Sequence, residues 1–88
     1  MEESKKTIIA LKKAHTHLGR VIRMVENQEY CIDILQQNLA VIGLLKAANA
    51  QIFEGHLNSC FAAAMRGTNE KRKKKMIDEI LAINKLSK

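Results

Sequence analysis

From Ile8 to Val25 the apolar residues Ile8, Leu11, Leu18, Val21, Ile22 and Val25 recur at spacings of three, four and seven, with cations on much of the rest. That period predicts an amphipathic helix over residues 5–26, with Ser4 as its N-cap. Glu26-Asn27-Gln28-Glu29 is polar and reads as a turn. The next run, residues 29–65, contains no Pro and carries a stripe of Cys31, Leu35, Leu39, Ile42, Leu45, Phe53, His56 and Cys60. Ile34, Val41, Leu44, Ala48 and Ile52 add further apolar positions on this long central helix. A helix apolar on several faces must be buried on several sides. Gly67 fits a helix stop, and Thr68 or Asn69 the next N-cap. Met76, Ile77, Ile80, Leu81 and Leu86 then make the apolar stripe of a short third helix over 69–86. No repeat or linker interrupts the chain, so residues 1–88 read as one domain.

The pattern predicts an all-α, three-helix protomer. The first helix can cover one side of the central helix, and the rest calls for a second protomer. An antiparallel pair closing into a four-helix bundle is the economical solution. Size points the same way, because a chain of 88 residues is marginal without disulfides, metal or oligomerisation. Its two cysteines make no disulfide framework. No uninterrupted apolar stretch approaches the ~18 to 20 residues of a membrane span, and Met1 to Lys6 has no signal-peptide character. The expectation is a cytoplasmic protein with reduced cysteines and no membrane partner.

Charge adds a partner class. A net charge of +6 and a pI near 9.6 suit a polyanion such as nucleic acid. Glu70-Lys71-Arg72-Lys73-Lys74-Lys75 is a charge run whose simplest reading is a solvated face. An enzyme is not expected: there is no Gly-rich phosphate loop, and Asp33, Glu54, Asp78 and Glu79 form no catalytic pair. His15 and His17, two apart, do not share a helical face.

The candidate chemistry lies on the central helix. At about 100° and 1.5 Å per residue, Cys31, His56 and Cys60 fall on one narrow stripe, with Cys31 roughly 40 Å from the other two. One ion could not touch both ends within one molecule. In an antiparallel pair, Cys31 of one copy meets His56 and Cys60 of the other, giving two sites. Two sulfurs and an imidazole suit Cu(I), Zn(II) or iron–sulfur chemistry, and three donors without a fourth favour trigonal Cu(I). The same residues could instead be ordinary packing residues of a buried helix.

Arg23-Met24-Val25-Glu26 with Tyr30-Cys31-Ile32-Asp33-Ile34-Leu35-Gln36-Gln37 resembles the turn and second-helix start of the copper-sensing CsoR/RcnR family of bacterial repressors. His56-Leu57-Asn58-Ser59-Cys60-Phe61 resembles that family's second metal segment, at the expected interval, and the similarity covers residues 5–86. The resemblance implies an antiparallel dimer, two dimers forming a tetramer, and Cu(I) held by Cys31 of one chain with His56 and Cys60 of its partner. It also implies a Tyr and a Glu around the ligand histidine: Tyr30 matches the first and Glu79 best matches the second, with Glu70 or Asp78 as alternatives. The family's nickel and cobalt sensors add an amino-terminal His, its persulfide sensors lack the histidine, and its formaldehyde sensors lack the second cysteine, so Cu(I) is the metal implied here.

Operator DNA is the partner the resemblance implies, and the chain departs from the family pattern there. Ala10, Ala47 and His15-Thr16-His17 stand where arginines and an Arg-Gly-Gln-like stretch are expected. Lys5, Lys6, Lys12, Lys13, Arg20, Arg23 and Lys46 remain as candidate phosphate contacts, although lysine lacks arginine's bidentate fork. The expected function is a Cu(I)-responsive repressor whose apo form binds the operator. The alternative is a Cu(I)- or persulfide-binding helical protein of the same fold with weak or no operator recognition.

Overall fold

The structure, a computed structural model, describes residues 2–86, with side chains from residue 4 onward. Every element among the described residues is helical: α1 (Glu2–Glu26), α2 (Cys31–His56), a π-turn (Leu57–Phe61), α3 (Ala62–Arg66) and α4 (Glu70–Leu86). The chain forms two compact units, one ending at Phe53 and the other beginning at Glu54.

In the first unit α1 and α2 pack through a narrow seam. Apart from Gly19, the less exposed positions of this unit are Thr7, Ala10, Ala14, His17, Val21 and Met24 on α1, and Ile34, Gln37, Val41, Leu44, Ala48 and Gln51 on α2. Both sets alternate steps of three and four, the spacing of a coiled-coil contact. Ala14, Val21, Met24, Val41 and Ala48 are buried. Across this seam His17 Nε2 and Gln37 Oε1 lie 2.8 Å apart, with the ring N–H donating to the amide oxygen.

The stripe that faces α2 differs from the one expected. Only Val21 of the predicted α1 stripe is buried, whereas Ile8, Leu11, Leu18, Ile22 and Val25 are exposed. Small residues explain the choice: Ala10 and Ala14 let the two backbones approach, and the bulkier stripe one position along is left over. The same division runs along α2. Ile34, Val41, Leu44 and Ala48 turn towards α1, while Cys31, Leu35, Leu39, Ile42, Leu45 and Phe53 are exposed. Each helix thus carries a second apolar face that this protomer does not cover.

The turn between α1 and α2 has a defined construction. Gln28 N–H donates to Val25 O (3.0 Å) and Glu29 N–H to Met24 O (3.0 Å), with Gln28 at φ 55°. This is a Schellman closure, whose left-handed position usually holds glycine. It ties Glu29 to the end of α1, so the second helix starts at Cys31 rather than at residue 29. A Cβ in that conformation costs about 1 to 2 kcal/mol. Gln28→Gly is therefore expected to stabilise the fold by about 1 kcal/mol, net of glycine's greater chain entropy. A rise in the urea midpoint at unchanged slope would confirm it, and a fall would contradict it.

Two other boundaries moved. The first helix begins at Glu2, so Ser4 lies inside it and is not its cap; glutamates at positions 2 and 3 are good helix formers and extend the helix past the expected start. The predicted regular helix through Cys60 is interrupted by the π-turn, closed by Ala62 N–H donating to Leu57 O.

In the second unit Ala64 is buried, and Leu57, Phe61, Met65, Met76 and Ile80 are half-buried. Gly67 ends α3, its N–H donating to Ala64 O at 3.2 Å. Asn69 caps α4 as expected: its Oδ1 accepts the Arg72 N–H at 3.1 Å, a contact worth about 1 kcal/mol.

The helical run Cys31–Arg66 has 36 residues and a window of mean hydropathy 1.2, long and apolar enough by length and composition alone to cross a membrane. Gln36, Gln37, Asn38, Lys46, Asn49, Gln51 and Glu54 nevertheless interrupt it. A central helix apolar on several faces, as in a helical assembly, has the same composition.

Candidate functional site

Cys31 is the first residue of α2, and Tyr30 precedes it, its carbonyl accepting the Ile34 N–H at 3.2 Å. The fold-back that buries Val41 and Ala48 leaves Cys31 exposed at the end of the uncovered face. Tyr30 is also exposed.

His56 is the last residue of α2 and half-buried, and Cys60 lies in the π-turn, free and exposed. A turn closed by i→i+5 bonds holds more residues than an α turn. Cys60 therefore advances less far around the axis from His56 than regular helix would carry it. Ser59 shapes the same turn: its hydroxyl lies 2.6 Å from Gly55 O, to which it donates, and 3.8 Å from Cys60 Sγ. Neither the π-turn nor Ser59 was read from sequence, because a π-turn leaves no distinct mark on hydrophobic period. Among the described residues of one protomer, no three His, Cys, Asp or Glu side chains gather as a metal site. The donor chemistry still fits Cu(I): two free, accessible sulfurs and a partly buried imidazole.

The acidic candidates fall into two groups. Glu70 Oε1 is 3.3 Å from Lys73 Nζ. Asp78 and Glu79 instead line a depression on α4 with Lys71, Lys74, Lys75 and Ala82.

The candidate phosphate contacts are partly brought together. Lys12, Lys13, Arg20 and Arg23 line one open depression with Ile9, Thr16, His17 and Leu44. Lys5, Lys6 and Lys46 are exposed but lie outside its lining. His17, which shares no helical face with His15, lines this basic depression and bonds Gln37 across the seam. Its position in the three–four seam was the available signal.

A family model described as "Metal-sensitive transcriptional repressor" matches residues 3–85. The chain is 39% identical over 71 residues to the copper-sensing transcriptional repressor CsoR of Mycobacterium ulcerans, covering 81% of this chain and 58% of that protein. It is 33% identical over 69 residues to the CsoR of Bacillus subtilis, covering 77% and 68%. The match thus spans less than two thirds of the mycobacterial relative's length. Among solved structures, the copper-sensing repressor CsoR with Cu(I) from Geobacillus thermodenitrificans superposes with a TM-score of 0.83 at 32% identity, covering 100% of this chain and 90% of that one. The chain belongs to the metal-sensitive transcriptional repressor family.

Proposed function

We propose that this chain is a Cu(I)-responsive transcriptional repressor and not an enzyme. Its metal-free form binds operator DNA, and Cu(I) binding lowers that affinity. The observation that carries the reading is the donor set Cys31, His56 and Cys60 in a member of this family, with Cys31 on the apolar face that its own protomer leaves uncovered.

Cys31 of one protomer, with His56 and Cys60 of a second, would hold the ion. Bound there, Cu(I) supplies a soft cation that joins donors from two chains at one point. Leu35, Leu39, Ile42 and Leu45, exposed in the protomer, supply the apolar contact for an antiparallel dimer, and two dimers form the tetramer. Tyr30 and Glu79 orient the His56 imidazole by hydrogen bonds, as outer-shell groups do at metal sites. Lys12, Lys13, Arg20 and Arg23 meet DNA phosphates, with Lys5, Lys6 and Lys46 widening the positive face. Such a repressor works in the cytoplasm, where DNA is at hand and cysteines stay reduced.

Metal and DNA then oppose each other through one coupling free energy, so DNA must weaken Cu(I) binding by the same factor. Titrating labelled promoter DNA with metal-free and Cu(I)-loaded protein tests this. The expected result is sequence-selective binding by the metal-free form, weakened by about 5- to 150-fold on loading. Equal affinity for promoter and random duplex across a salt series would refute repression. Alanine at positions 10 and 47 favours a second reading, a Cu(I)-binding protein of this fold with weak operator recognition, for which that equal affinity is the expected result.

A further inference from the structure

α4 carries five consecutive cations, Lys71 to Lys75, in its first two turns. The first of these cations face the positive end of the helix dipole, an unfavourable placement that fades beyond the first turn. Neighbours three and four apart repel one another as well. Lys73 is offset by Glu70, 3.3 Å away. Lys71, Lys74 and Lys75 are exposed and share one face, lining a depression with Asp78, Glu79 and Ala82. The packing side of this helix is supplied by Met76 and Ile80, so burial does not require the lysines.

We propose that Lys71, Lys74 and Lys75 form a further DNA-contacting surface that engages the phosphate backbone, separate from the basic depression on α1. This rests on the DNA-binding reading above. Charge and spacing select the partner. The three ammonium groups climb about 6 Å of helix axis, and duplex DNA carries one negative charge per about 1.7 Å, so each lysine can meet a phosphate. Asp78 closes the patch one turn later by repelling phosphate. With no aromatic or amide side chain among the lining residues, the surface adds affinity without reading sequence.

The test is the salt dependence of DNA binding by the full chain, wild type against Lys71→Gln/Lys74→Gln/Lys75→Gln, on promoter and random duplexes. The slope of log affinity against log salt is expected to flatten by about 0.9 for each lysine engaged, with both DNAs weakened by a similar factor. The corresponding triple arginine variant is expected to keep the wild-type slope. Circular dichroism and Cu(I) stoichiometry check that the variant is folded; if it is not, Lys74→Gln alone should flatten the slope by about 0.9. Unchanged slope and affinity in a folded variant, with DNA bound normally by wild type, would overturn the proposal and leave repression standing, as would loss confined to the promoter. Wild-type protein that binds neither duplex would overturn both.

Discussion

Cys31→Ala is expected to abolish tight Cu(I) binding while leaving helix content and metal-free DNA affinity unchanged. Cys31 stands at the start of α2, at the end of the proposed interface, and replacing its thiol by a hydrogen adds neither bulk nor charge there. The effect should therefore fall on the metal alone. Removing an outer-shell partner costs about 10- to 100-fold in metal affinity, and Tyr30→Phe belongs in that range. Removing a direct sulfur donor leaves two donors and should cost far more. Competition with a chromophoric Cu(I) chelator measures both. An affinity within threefold of wild type for Cys31→Ala would mean that the assigned donors are wrong.

The second large effect concerns assembly. Leu39 is 65% exposed, among the most open apolar residues on α2. If the protomer were the complete folded unit, Leu39→Glu would be nearly neutral. If the face is an interface, the change forfeits about 1.5 to 3 kcal/mol of leucine burial per chain and places a carboxylate against apolar surface. The expected result is dissociation at micromolar concentration, seen by sedimentation, with a lowered and concentration-dependent melting temperature. A variant with wild-type mass and melting temperature would exclude this face from the interface.

Hydrophobic period made the helices and the central helix's several apolar faces legible. Residue type placed the Gly67 stop and narrowed the next cap to Thr68 or Asn69, of which Asn69 makes the capping bond. The period misjudged which α1 stripe meets α2, because Leu and Ile outweigh Ala in any apolar count, whereas Ala10 and Ala14 set how closely two helices approach. The Gln28 closure was illegible for a related reason: glutamine is not a residue expected at positive φ, yet it takes that place between the two Schellman bonds. The donors Cys31, His56 and Cys60 were legible as a stripe, but the π-turn that carries Cys60 was not, since it depends on one hydrogen-bond register. Its serine, donating to Gly55 O, accompanies that register and offered the one local hint.

The central claim is that each copper site draws its donors from two chains, and mixing two inactive variants tests it most directly. Cys31→Ala and Cys60→Ala should each fail to bind Cu(I) tightly when pure. Refolded together, they form mixed dimers in which one site has lost both cysteines and the other has kept all three donors. Random pairing makes half the dimers mixed, so the expected recovery is about one quarter of the wild-type number of tight sites. No recovery in a mixture shown by mass spectrometry to contain mixed dimers would contradict a site shared between protomers.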